Sequence, residues 1–380
     1  MRTWARKLVR HVFSPSTRFE LRAAADRLQE QCDRLRLGHW EFVRITGGFG
    51  SSHDLFYWGR REYRPLALVM LGIDQHAKVV PERLHLSKDA AVIGDVPLPG
   101  SLRLPAYLRT IVPLGRSLEE ITARYDPELR RRLRKQRPRF RIQQVLDPSE
   151  IDRLDQEMLR PYVTERHPDD QQHVPAEEVR RIAHDYGRLD LLYCDDKEVG
   201  CHLGHTLIRT GKRYWVTSRF GYPQSVFSEQ KRLAEINSMN TYMALEFATE
   251  QGFDYYDIGQ SLGRPDDGLL QWKRRRAGAL DTMLNYNFLY FRLPRQGRAQ
   301  LLWDTPLFSV QREGLTLWLG LPESRSDEEA ANRYRQMGFG GLSRVRVQCA
   351  RPPSSQFVDH LRGRFANHPA LPAMETVLAD

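Results

Sequence analysis

An α+β fold is what the sequence predicts, and three observations carry it. From Phe140 the elements read β, α, α, β, β, β, α, β, α, β, which mixes an antiparallel run with a crossover and is not the regular alternation of a doubly wound sheet. The segments Leu189–Cys194, Val199–Arg209 and Arg213–Phe220 are rich in β-branched and aromatic residues, and two tight turns separate them, a pattern for a meander. A helix over Ala234–Gln251 has Ile236, Met239, Met243 and Phe247 on one face, meets Gly252 where a left-handed residue is wanted, and leads into a strand at Phe253–Ile258.

The flanking elements follow from the same signals. A helix capped by Ser16 or Thr17 runs to about Arg36, with Leu21, Ala24, Ala25 and Leu28 as its apolar stripe. Strands are expected at Trp40–Ile45, Ser52–Trp58, Leu66–Ile73, Lys88–Ile93 and Tyr107–Pro113. One helix is expected over Leu118–Gln136, closed by Pro138, and helices over Ser149–Tyr162 and Ala176–Tyr186 follow the strand Phe140–Val145. A short helix near Gly268–Arg275, strands at Met283–Arg292, Leu315–Leu319 and Val345–Val347, and a helix at Asp327–Met337 complete the chain.

With 380 residues and 41% hydrophobic side chains the chain exceeds what one core holds, since single cores stop growing at roughly 250 to 300 residues. The expected division is a basic N-terminal helical segment (1–36), a first domain (37–117), a second (118–292) and an appendage (293–380). Cys32, Cys194, Cys201 and Cys349 match neither a disulfide framework nor a zinc pattern, so a reducing compartment and no metal are expected. The longest apolar stretch, near Leu66–Ile73, is too short to span a bilayer, and a cytoplasmic location is the expectation. Residues 1–13 set Trp4, Leu8, Val9, Val12 and Phe13 against Arg2, Arg6, Lys7 and Arg10, a pattern for peripheral contact with an anionic membrane, with packing on the first domain as the alternative. The net charge of +10 asks for an anionic partner: a phosphate-bearing cofactor, a lipid surface or RNA. Arg130, Arg131, Arg132, Arg134, Lys135 and Arg137 concentrate that charge, and a solvated helix face explains them as well.

The segment Tyr214–Gly278, with Asn237-Ser238 near a helix start, then ALEFATEQGFDYYDIGQS, then GLLQWKRRRAG, resembles the FemAB-like and CelD-like branch of the GNAT acyltransferase superfamily. The resemblance implies tandem GNAT-like halves, each a mixed sheet flanked by helices, with 37–117 a degenerate half and 118–292 the catalytic one. It implies transfer of an acyl group from a thioester such as acyl-CoA to an amine of a small molecule or peptide. The alternatives are an aminoacyl ligase taking aminoacyl-tRNA and a non-catalytic scaffold. Ordinary acetyltransferases hold the coenzyme A pyrophosphate in a glycine-rich loop, whereas SVFSEQKRLAEINS has no glycine, and Lys231 and Arg232 are the candidate replacements.

For the chemistry, Lys273 is expected to stabilise charge on the reacting carbonyl or a donor phosphate, the role its family position implies. Asp257, at the end of a strand it shares with Phe253 and Tyr255, is expected to act as base or to orient substrate, against the plainer use of capping a turn. Tyr214, Ser218 and Arg219 lie on the strand that the resemblance expects to splay from its neighbour and admit the acyl group. Asn237 and Asn240 are candidates for binding a polar acceptor. His202 and His205, three apart on a strand, point to opposite faces and are read as sheet histidines.

Overall fold

In the computed structural model the described residues are 40–46, 54–82, 89–166, 175–282, 287–366 and 371–378, with Thr17, Leu21, Ala24, Ala25, Leu28 and Cys32 before them. Those six are helical and exposed, so the expected apolar stripe is not covered at Leu21, Ala24, Ala25 and Leu28. Residues 1–13 lie outside the described residues. No helix among the described residues is long and apolar enough to cross a membrane.

The chain begins with β1 (Trp40–Thr46), β2 (Leu55–Arg60), α1 (Arg64–Met70), β3 (Lys78–Pro81), β4 (Ala91–Gly94), β5 (Leu102–Pro105) and β6 (Tyr107–Pro113). The strand expected at Leu66–Ile73 is instead α1. Pro65 in its first turn costs no hydrogen bond, and Gly72 in the left-handed region (φ +74°) follows its end. A short apolar run carries no period that separates a strand from a buried helix, and here Ala67, Leu68 and Met70 are the buried residues.

Next come α2 (Leu118–Ala123), α3 (Pro127–Gln136), β7 (Phe140–Val145), α4 (Pro148–Leu154), α5 (Arg160–Arg166) and α6 (Ala176–Arg181). The single helix expected over Leu118–Gln136 is broken because Asp126 caps a new one, its carboxylate accepting the amides of Glu128 and Leu129, with Pro127 at the first position. The meander forms as expected: β8 (Gly187–Cys194), β9 (Lys197–Arg209) and β10 (Lys212–Gly221) are joined by Asp195-Asp196 and Thr210-Gly211. All four turn residues have φ between +48° and +75°, the geometry of two-residue turns that match strand twist.

The remainder is α7 (Gln224–Phe227), α8 (Gln230–Glu250), β11 (Tyr255–Leu262), α9 (Gly268–Arg274), β12 (Ala279–Asp281), β13 (Phe288–Arg292), α10 (Arg298–Asp304), β14 (Leu307–Gln311), β15 (Gly314–Leu321), α11 (Asp327–Arg333), β16 (Arg344–Cys349), α12 (Ser355–Gly363) and β17 (Ala373–Leu378).

Two compact units result. The first contains Ile111–Gly259 and Arg275–Ala277; the second contains the described residues of Arg22–Thr110, Gln260–Arg274 and Gly278–Asp380. In the first, β7, β8, β9 and β10 pair antiparallel in that order, and α8 carries the chain over to β11, which lies parallel to β10. Ile151, Leu154 and Leu159 bury against Leu189, Leu191, Cys201 and Leu203 on one face. The second unit has a mixed sheet in the order β3-β1-β2-β4-β13-β5 and a four-stranded mixed sheet in the order β14-β15-β16-β17.

The fold is thus α+β with mixed sheets flanked by helices, but these units do not follow boundaries at 117 and 292. Strand β13 is hydrogen-bonded between β4 and β5, and residues 293–380 supply a sheet and much of the second unit's core, including Leu317, Leu319, Val345 and Val347. They are no appendage. The different strand orders lend no support to two like halves.

Candidate functional site in the first unit

The distinctive feature lies on β10, at one level along both of its edges. Its parallel pairing with β11 covers Tyr214, Trp215 and Val216 against Tyr255, Tyr256 and Asp257, while β10 itself runs on to Gly221. On the opposite edge its register with β9 shifts between Thr217 and Arg219, leaving Ser218 without a partner. A bulge adds a residue to one strand, bends it and takes that residue out of the ladder. The ladder is therefore open on the β11 side from Thr217 onward, while on the β9 side Ser218 alone leaves it.

Polar side chains converge there. The Ser218 Oγ lies 2.6 Å from His205 Nδ1, both residues half-buried, and His205 meets the Tyr186 ring edge-on at 6.3 Å. His205 and Asp257 both stand opposite Val216, one on β9 and one on β11, in one row across the sheet. Thr217 Oγ1 lies 3.1 Å from His202 Nε2 and 3.0 Å from the Tyr256 hydroxyl, a partly buried chain across three strands. Burial, with the nearby Arg188 charge, lowers the His202 pKa to about 3, so its ring is neutral. Burial raises that of Tyr256.

The sequence candidates fall into different settings. Asp257 does not end its strand, since β11 continues to Leu262; it is fully buried, and its carboxylate accepts the amide of Gly259, which has φ +83°. The turn it was to cap is thus strand as far as Leu262, and the carboxylate braces the backbone within β11 instead. Tyr214 is buried, stacked on Tyr255 at 4.8 Å, with the Arg209 guanidinium 5.1 Å from its ring. Arg219 is half-buried; burial lowers its pKa, while Asp155 acts to raise it and Arg160 to lower it. Asp155 is buried in the wide helical turn between α4 and α5, accepting from Arg160 at 2.6 Å.

Asn237 accepts the Tyr222 hydroxyl at 2.8 Å, and Asn240, buried, donates to the Cys201 carbonyl at 3.0 Å. Both amides tie α8 to the sheet and its edge. Lys231 and Arg232 are exposed in the first turn of α8. Lys273 belongs to the second unit and is not a surface residue: it is 2% exposed, and its Nζ donates to the Gln260 carbonyl at 2.8 Å.

The segment before α8, where a phosphate cradle would lie, is folded into α7. The amides of Val226 and Phe227 donate to the Pro223 carbonyl, that of Ser228 to Gln224 and that of Glu229 to Val226. These four amides are occupied, so they do not fit the pyrophosphate of coenzyme A. A cavity of about 670 Å³ in the first unit, lined by Leu114, Arg116, Ser117, Phe253, Asp254 and Tyr255, contains none of the sequence candidates. Among the described residues no group of three or more His, Cys, Asp or Glu is placed to hold a metal.

Arg276 was not a candidate. It is buried, donates to Ser238 Oγ at 2.8 Å, and burial lowers its pKa to about 9. In the run Lys273-Arg274-Arg275-Arg276 nothing marks which side chain turns inward. His205 was legible only as a sheet histidine, and Thr217 only by its place on the strand expected to splay.

No family model matches the chain, and no curated protein matches it. Among solved structures it is similar to FemX, at 13% identity over 70% of this chain and 88% of that one, with a TM-score of 0.37. It is similar to L-PGS from Bacillus licheniformis at 12% identity over 70% and 88%, with a TM-score of 0.34. A third likeness is to an aminoglycoside acetyltransferase from an uncultured soil metagenomic sample, at 15% identity over 37% of this chain and 88% of that one, with a TM-score of 0.26.

Proposed function

We propose that the chain transfers an acyl or aminoacyl group from an activated ester or thioester to an amine. One observation carries this reading: the parting of β10 from β11 beyond Val216 and Asp257, level with the bulge at Ser218. An acyl chain fits between strands that no longer pair. Attack by an amine makes an oxyanion at the carbonyl, and a bulge residue outside the ladder offers its backbone amide to it.

In this reading the Ser218 amide donates to the oxyanion, Arg219 meets anionic parts of the donor, and Asp257 holds the β11 backbone at Gly259 beside the opening. Lys231 and Arg232 attract a phosphate-bearing donor to the start of α8. Acyl-CoA bound through the amides of α7 is not part of the reading, because those amides are occupied.

Aminoacyl-tRNA as donor is favoured by a separate observation. On α3, Arg131, Arg132, Arg134 and Lys135 are exposed, while the two buried residues of that helix are Leu129 and Leu133. Four cations on one short helix suit a nucleic-acid backbone, whose binding weakens steeply with salt. The test is a thermal-shift series with acetyl-CoA, a long-chain acyl-CoA and bulk aminoacyl-tRNA. Stabilisation by a thioester at every salt concentration selects the thioester, a salt-sensitive response to tRNA alone selects the ligase, and no response to any donor overturns both.

A further inference from the structure

The Ser218–His205 pair has a geometry that binding alone does not require. Its oxygen and nitrogen are 2.6 Å apart, within the reach by which an imidazole activates a hydroxyl. The two residues come from adjacent strands, and the bulge makes the contact: before it, His205 faces Val216 and Gly204 faces Thr217, and beyond it Leu203 faces Arg219. Ser218 is the extra residue. A regular ladder would set it opposite a β9 residue, whereas the bulge turns it towards the imidazole.

Both side chains are half-buried, so the pair is neither sealed in the core nor freely solvated. The partly buried chain of His202, Thr217 and Tyr256 fixes β10 on the residue before Ser218. Three adjoining strands thus pin β10 one residue from the Ser218 hydroxyl, the support a nucleophile needs on a rigid element.

We propose that Ser218 is a nucleophile and His205 its base, so that the acyl group rests on Ser218 before it reaches the amine. This rests on the transfer reading above. The Ser218 Oγ attacks the donor carbonyl carbon while its proton passes to His205 Nδ1. The oxyanion collapses, the carbon–sulfur or carbon–oxygen bond of the donor breaks, and the leaving group takes the proton from the imidazolium. The amine nitrogen then attacks the seryl ester and gives a proton to His205. The bond to Ser218 Oγ breaks, and that oxygen recovers the proton. No oxidant, reductant or metal enters the balance.

The experiment uses the full chain and p-nitrophenyl acetate, an activated ester that needs no donor-binding site. Nitrophenolate release is followed by stopped flow, and the quenched protein is digested and its peptides weighed. The expected result is a burst and one acetyl group on the Ser218 peptide, absent from Ser218→Ala, present as a thioester in Ser218→Cys, and formed ~100-fold more slowly in His205→Asn, a loss typical of removing a positioned base. Circular dichroism of each variant separates misfolding from loss of the nucleophile. No acetyl on Ser218 in the wild type, or equal rates in His205→Asn, overturns the proposal. Amide formation by a wild type that shows no adduct overturns it while leaving the transfer reading intact, and an adduct on a chain that acylates no amine supports the pair and overturns that reading.

Discussion

Asp190 on β8 and His202 on β9 stand directly opposite each other, and burial moves their proton affinities in opposite directions. Asp190, which accepts from Arg188 at 2.5 Å, has its pKa raised to about 6 from 3.8, and that of His202 is lowered to about 3 from 6.5. A depressed histidine contributes stability above its unfolded value that is lost as pH falls from 6.5 towards 3. A raised carboxyl contributes stability below 3.8 that is lost as pH rises towards 6. Each acts with a slope of about 1.4 kcal/mol per pH unit inside its window, so between about pH 4 and 6 the two oppose each other. Urea titrations at pH 6 and pH 4 should therefore show Asp190→Asn losing more stability on acidification than the wild type, and His202→Gln losing less.

Gly204 lies under the Trp215 indole. A Cβ there would stand 2.3 Å from the ring, which is itself packed against Phe247 and Phe253. Gly204→Ala should cost about 1 to 3 kcal/mol, the usual range for overpacking. Pairing it with Trp215→Leu should recover part of the loss in denaturant titration, because the smaller side chain removes the clash.

In the second unit, Arg60 and Asp95 form an ion pair with both side chains almost fully buried, and the Arg60 amide also donates to Asp95 at 3.0 Å. Removing one partner of such a pair strands the other charge, so Asp95→Ala should destabilise by about 3 to 5 kcal/mol. Asp95→Asn keeps an acceptor for the amide and should cost less. Thermal unfolding of the two variants gives the order.

Replacing Arg131, Arg132, Arg134 and Lys135 together with glutamine should leave folding unchanged, since all four are exposed. If tRNA is the donor, the same change should flatten the salt dependence of tRNA binding by on the order of one counterion for each side chain in contact. Filter binding across a salt series reads that slope.

The first unit was legible where local rules decide. Period-two patterning and turn residues placed β8, β9 and β10, and Gly252 (φ +65°) closes the long helix as expected. The second unit was not, because β13 pairs with β4 and β5 across almost two hundred positions and no local signal encodes that. Among site residues, strand alternation showed that His202 and His205 face opposite ways. It did not show that a bulge would turn Ser218 towards His205, since a register shift depends on both strands. Lys273 was expected to act on the reacting carbonyl or a donor phosphate, and no local signal showed that its amine would be buried on a backbone carbonyl.

The most direct test of the central claim is to incubate the chain with isotopically labelled acetyl-CoA, or with bulk labelled aminoacyl-tRNA, together with amino sugars, amino acids and short peptides, and to search for labelled amide by mass spectrometry. The account expects amide from at least one donor with the wild type and none with Ser218→Trp, whose indole fills the space at the bulge beside His205. No amide from either donor, or equal amide from the filled variant, would contradict it.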